Sequence, residues 1–143
     1  MIWQLFRITT LAVCLTLAAC ASPPESSLYA RLGGQPVVSA AVQRTIERAA
    51  RDPRTMRSFD GIKLVTLEAS ITQQICSISG GGCRYEGDTM EKVHHELHIR
   101  AGEFDALVDI LREEFDAAHV DPGAKNELLK LLAPMKRDIV TAS

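Results

Sequence analysis

Apolar positions recur every three or four residues along most of this chain, the repeat of one face of a helix. Val38, Val42, Ile46 and Ala49 form a first stripe, and Leu64, Leu67, Ile71, Ile75 and Ile78 a second. Phe104, Leu107, Val108, Leu111, Phe115 and Ala118 form a third, and Leu128, Leu131, Leu132, Met135 and Ile139 a fourth. A shorter helix is predicted over 88–97, with Asp88 or Thr89 as its cap. Gly33-Gly34 precedes the first stripe and Asp52-Pro53 ends it. A residue before proline avoids the helical region, while proline suits the first turn of a new helix. A short helical turn is therefore expected, ending near Phe59-Asp60-Gly61. The second stripe stops at Gly80-Gly81-Gly82, a composition costly inside any helix, and Asp121-Pro122 opens the fourth. Nothing reads as a strand hairpin or an internal repeat. The pattern predicts an all-α fold, one compact bundle.

The N-terminus breaks this pattern. Ile8 to Ala19 is a continuous apolar run behind a single basic residue, Arg7. It is shorter than the roughly 20 residues that span a membrane, and it has the layout of a secretory signal. Leu17-Ala18-Ala19-Cys20 resembles a bacterial lipobox, in which Cys20 is lipidated and becomes the first mature residue; the alternative is an ordinary secreted chain with a chance cysteine. The expected organisation is a signal peptide over 1–19, a lipidated tether over 20–27 and a folded domain over 28–141. The expected place is the bacterial cell envelope, lipid-anchored and facing the periplasm. Ala21 rather than Asp follows the cysteine, so inner-membrane retention is not signalled, and the resemblance to lipoproteins favours the outer membrane.

Charge narrows the function. Cleavage removes Arg7, one of 16 basic residues, and none of the 18 acidic ones, so the mature chain is slightly more acidic than the formal −2 of the whole. With no basic block, nucleic-acid binding is a poor fit. Of the four cysteines, Cys14 leaves with the signal and Cys20 carries lipid. Cys76 and Cys83 flank the glycine run. In an exported protein they read first as a disulfide, with zinc, completed by His94 and His98, as the rival.

The order of these features resembles the group I truncated haemoglobins, short globins with a two-over-two helical sandwich. The residues that carry the resemblance are Leu28-Tyr29-Ala30-Arg31-Leu32-Gly33-Gly34, Phe59-Asp60-Gly61, Gly80-Gly81, Tyr85-Glu86-Gly87, Met90 through His94, and Leu132 through Val140. The resemblance implies haem b, held by a proximal histidine four residues after a methionine, which here is His94 after Met90. A neutral imidazole is a good axial ligand for haem iron. His95 points about 100° away on a helix, and His98 is expected one turn beyond His94 on the same face. His95, His98 and His119 read as solvated, and a His94–His98 clip for a divalent ion is a minor rival. By the same resemblance Phe59 matches the residue that stacks on the haem. Tyr85 and Met90 match its edge, Ile99, Phe104 and Leu107 its proximal and inner side, and Leu67, Ile71 and Ile75 the long helix that crosses it.

The distal side departs from the family. Many members place a tyrosine on the second helix, where it donates to the gas ligand. Ile46 stands there, preceded by Thr45. The family's other polar distal positions fall on Ile71 and Leu67. Loss of a buried donor costs about 1–3 kcal/mol, roughly ten- to hundredfold in O2 affinity, and much less for CO or NO. Thr72, Gln73 and Gln74 read as a solvated face, with Gln74 kept as a candidate distal group. The resemblance thus implies a haem-binding globin for O2, NO or CO, suited to scavenging, detoxification or sensing at the envelope. It also implies a membrane tie through lipid and an unidentified reductase or envelope partner. Enzyme activity, of an NO-dioxygenase or redox kind, stays open. The alternative is a haem-poor globin-fold lipoprotein acting as an interaction or sensor module; a His/Cys metal binder ranks third.

Overall fold

The computed structural model describes residues 26–142; the signal segment, the lipobox and Cys20 lie outside the described residues. The elements run α1 (Leu28–Arg31), α2 (Gly34–Ala49), a 3-10 turn (Met56–Phe59), α3 (Leu64–Ile78), α4 (Met90–His94), β1 (Ile99–Arg100), α5 (Ala101–Ala117), α6 (Pro122–Leu132), a second 3-10 turn (Ala133–Met135), α7 (Lys136–Ile139) and β2 (Val140–Ala142). Ser27, placed in the tether by its sequence, caps α1: its hydroxyl accepts a hydrogen bond from the Ala30 amide at 3.2 Å. Among the described residues no helix is long and apolar enough to cross a membrane.

α2 is the centre of the molecule, packed most extensively on α3 and α5. It begins at Gly33, whose φ of +95° suits glycine. A Cβ there would stand 2.5 Å from Val37 Cγ2. It ends where Thr55 Oγ1 donates to the free Ala49 carbonyl at 2.6 Å, ahead of which Asp52-Pro53 turns the chain. Val38, Val42, Ile46 and Ala49 are all buried, as their spacing predicts, and the first three meet Ile75, Leu111, Phe115 and Leu128 in one cluster. Each such side chain contributes about 1.5–3 kcal/mol by leaving water. α3 stops at the glycine run. A Cβ on Gly81 would lie 2.6 Å from Tyr29 Cδ1 and from Cys76 Sγ, so only glycine lets the loop pass this close.

Three expectations are revised. The helix over 88–97 is only one turn, Met90–His94, capped by Thr89, whose hydroxyl accepts from the Lys92 amide. His98 has a φ of +49°, so it does not stack one turn above His94. The fourth stripe is not one helix. Pro134 lacks an amide and crowds the carbonyl four residues back, and the chain tightens into a 3-10 turn before α7. Finally, among the described residues there is one pair of strands, β1 and β2, parallel and with Ile99 opposite Val140; each is too short to show a period of two in sequence.

Candidate functional site

A cavity of about 500 Å3 opens between α2, α3, α4, α5 and the C-terminal turns. α2 and α3 contribute Thr45, Ile46, Leu67, Ile71, Gln74 and Ile75, and the first 3-10 turn contributes Phe59. The facing elements contribute Met90, His94, Ile99, Phe104 and Leu107, with Tyr85 from the loop before α4. Every cavity residue expected from sequence therefore reaches one space. A second hollow of about 520 Å3 lies along Thr89–Leu97 alone. It is lined by Glu91, Lys92, His95 and Glu96 with no facing helix, so it offers no slot for an apolar body.

His94 is the only imidazole in the interhelical cavity among the described residues. Its Nδ1 lies 2.8 Å from the Met90 carbonyl oxygen. A carbonyl can only accept, so Nδ1 carries the proton, and in the neutral ring Nε2 is left with a free lone pair. That is the tautomer a metal-ligating histidine needs, held by a backbone partner one turn away. The spacing from Met90 to His94 thus places the ring and also fixes which ring nitrogen meets the backbone carbonyl. His95, His98 and His119 are exposed and outside the cavity. Among the described residues no three His, Cys, Asp or Glu side chains gather around a metal-sized site. Cys76 and Cys83 are bonded to each other, with Cα atoms 5.6 Å apart, so they present no thiolate pair to zinc.

The hydroxyls of α2 and its C-terminus are already used. Thr45 Oγ1 donates to the Ala41 carbonyl at 2.7 Å and Thr55 Oγ1 to that of Ala49. Ile46, Leu67 and Ile71 add no donor, so this wall is apolar where the resemblance expects polar groups. The solvated face expected at Thr72, Gln73 and Gln74 is not found. Thr72 is buried, and Gln73 and Gln74 are half-buried. Gln73 Oε1 accepts from the Glu86 amide at 3.4 Å. Gln74 Nε2 lies 3.5 Å from Met90 Sδ and 3.6 Å from Met135 Sδ, both weak acceptors. Gln74 is turned inward because α4 and the second 3-10 turn cover that side of α3.

Several lining residues were not foreseen. Thr66 and Ser70 stand four apart, in a row that continues to Gln74, beside the apolar row Leu67–Ile71–Ile75. A helix whose neighbouring rows differ this way faces a cavity with two kinds of wall; the i, i+4 spacing of Thr66, Ser70 and Gln74 is the signal that marks it. Met135 and Leu132 enter from the C-terminal turns, Val42 from α2, Leu111 from α5 and Lys63 from the rim. Glu103 was also missed. It is 8% exposed and accepts from Arg57 Nε at 3.0 Å, Arg57 Nη2 at 2.7 Å, Ser58 Oγ at 3.1 Å and the Arg100 amide at 2.7 Å. The Arg57 guanidinium, ahead of those other donors and against the opposing pull of burial, holds its carboxyl at about 2. Glu103 ties the turn that carries Phe59 to the start of α5, which carries Phe104. Farther out, burial pushes the Glu114 carboxyl up, but Arg48 and Arg44 together outweigh it, and the group lies below its usual value. These ion pairs fasten α2 to α5.

A flat, largely apolar cofactor with one metal-ligand position needs an apolar slot and one unencumbered nitrogen. The cavity has both, and haem b fits this donor set: one neutral imidazole, aromatic and aliphatic walls, no competing ligand cluster.

Comparison with known proteins agrees with the geometry. The group 1 truncated hemoglobin of Nostoc commune is 28% identical over 115 residues, covering 80% of this chain and 98% of that protein. The one from Mycolicibacterium paratuberculosis is 26% identical over 125 residues, 87% of this chain and 92% of that one. In structure, the ferric truncated hemoglobin of Tetrahymena pyriformis superposes with a TM-score of 0.76 at 23% identity, covering 80% of this chain and 98% of its own. The 2/2 hemoglobin of Synechococcus sp. PCC 7002, in the cyanomet state and with covalently attached heme, gives 0.75 at 22% identity over the same shares. The fold is the truncated two-over-two globin sandwich. The family model described as bacterial-like globin matches residues 27–141, nearly the whole of the described chain, and the chain belongs to that family.

Proposed function

We propose that this chain is a haem b protein that binds a diatomic gas, O2, NO or CO, with His94 as the axial ligand of the iron. The observation that carries this reading is His94 in the cavity, its Nδ1 proton held by the Met90 carbonyl and its Nε2 free. That fixed tautomer favours a haem protein over a haem-poor interaction module, which has no need of it. The haem supplies gas binding and redox chemistry when bound. The chain supplies the rest. His94 holds the cofactor; Phe59, Phe104 and Leu107 give it an apolar bed, with Tyr85 and Met90 at its edge. Ile46, Leu67 and Ile71 exclude water from the gas side and offer no donor, so O2 is held weakly while CO and NO lose little. The side-chain amide that lines the cavity, Gln74, is engaged with two thioethers.

Weak O2 retention on a single small domain fits scavenging, detoxification or sensing of NO or O2 better than bulk transport. The N-terminal Leu17-Ala18-Ala19-Cys20 supports a place at the cell envelope, lipid-anchored and facing the periplasm, where electrons come from a separate reductase. Incorporation of labelled fatty acid at Cys20 tests that part of the reading.

The visible spectrum of the purified protein tests the haem reading. Ferric, ferrous and CO forms should each give a Soret band, and the ferrous form should be five-coordinate. His94→Ala should remove or reshape the band, and His95→Ala and His98→Ala should leave it, because both side chains are exposed outside the cavity. An unchanged spectrum in His94→Ala refutes the ligand assignment.

A further inference from the structure

Three lining side chains of the cavity other than His94 are ionisable as acids or amines: Lys63, Asp88 and Glu103. Two already have partners. Glu103 is held by Arg57, and Asp88 Oδ1 lies 2.8 Å from Lys92 Nζ. Lys63 is exposed and forms no ion pair with any acid among the described residues. It sits directly before α3, one turn ahead of Thr66 and Leu67, which line the same space. Ile62 beside it and Thr66 are exposed too, so this end of α3 is a lip of the cavity that water reaches.

Haem b is an apolar disc with two carboxylates on one edge. The inner wall of Ile71, Ile75, Leu107 and Leu111 offers a carboxylate nothing, and burying an unpaired charge there is prohibitive. The carboxylate edge must therefore face a wet lip. There, Lys63 is the lining cation with no acid to give up. Arg57 and Lys92 would each have to abandon one. We propose that Lys63 is the docking cation for a haem carboxylate, and that it sets the carboxylate edge at the α3 lip. The inference rests on the haem reading and adds to it a residue and an orientation. A long exposed ammonium pairing with an exposed carboxylate gives a modest gain, up to about fivefold in retention.

The test loads the full chain with haem or with haem dimethyl ester, whose carboxylates are blocked. Transfer to excess apomyoglobin is then followed in the Soret region. Lys63→Met, which keeps most of the stem, should speed loss of haem about two- to fivefold and leave loss of the diester unchanged. Lys63→Arg should keep the wild-type rates, and added salt should narrow the gap between wild type and Lys63→Met. Equal acceleration of both forms, or of neither, overturns the assignment to Lys63 while leaving the haem reading intact. A wild-type chain that gives no Soret band with either form overturns both.

Discussion

Glu103→Gln separates the charge of the Glu103 clamp from its shape. The carboxylate accepts four hydrogen bonds, from Arg57 (two), Ser58 and the Arg100 amide. A glutamine keeps the volume, loses the charge and turns an amide toward donors. The folded carboxyl lies at about 2 against an ordinary 4.5. Each pH unit of that gap is worth about 1.4 kcal/mol, which sets a ceiling of about 3 kcal/mol. Arg57 is half exposed and shares its charge with water, so about 1–2 kcal/mol is expected. The folded value is the lower one. The stabilisation is therefore full above about pH 4.5 and fades as pH falls toward 2. Urea unfolding at pH 6 should show the variant less stable by that amount, and at pH 3 the difference should shrink to roughly half or less. Glu114, also held below its usual value by arginines once burial is overcome, weakens both proteins alike in acid and cancels in the comparison. Because Arg57 and Ser58 lie directly before Phe59 in the same turn, the haem-loaded variant should also lose haem faster at pH 6. Equal stability at pH 6, or an undiminished gap at pH 3, refutes the charge account.

The Cys76–Cys83 bond should be present in freshly isolated protein, so alkylation without reductant labels neither cysteine. Replacing both by serine should cost about 2–3 kcal/mol in unfolding free energy, and free thiols in fresh protein would contradict the bond. Ile46→Tyr places a hydroxyl against the apolar gas side; it should slow O2 release about ten- to hundredfold while costing about 1–3 kcal/mol in stability from overpacking at a site 1% exposed. Slow O2 release from the unmodified chain would instead point to Gln74 leaving Met90 and Met135.

The helices were legible because a buried stripe is a property of each helix alone. Val38, Val42 and Ile46 repeat with the helical period whatever they pack against, and proline and glycine mark the ends. What stayed hidden depends on partners distant in sequence. The strands at Ile99 and Val140 exist only through each other, 41 residues apart in the chain. Beyond α4 the backbone turns left-handed at His98, whose carbonyl accepts from Arg57 Nη2 at 2.9 Å. No pattern local to 88–97 contains Arg57.

The site divides along the same line. Its apolar lining could be named from the resemblance, but periodicity alone gives no way to tell a cavity wall from core. Leu67, Ile71, Phe104 and Leu107 fall in the same stripes as Ile75 and Phe115. Phe115 is sealed in the core away from the cavity, whereas Leu67, Ile71, Phe104 and Leu107 stay only partly covered, since the space they face is not filled by protein; Ile75 is sealed and lines that space all the same. A polar side chain beside such a stripe has two possible surroundings, solvent or cavity, and α3 alone does not decide between them. For Gln74 the decision is made by Met90 and Met135, brought in by α4 and the second 3-10 turn. The same logic holds for Glu103. As an acid in the first turn of α5 it suits the helix dipole, and only the approach of Arg57 turns it into the clamp that steadies Phe59. Residues whose role is set by their own helix are readable in advance; those whose role is set by a second element need the fold. His94 belongs to the first group, because its partner, the Met90 carbonyl, lies on the same turn.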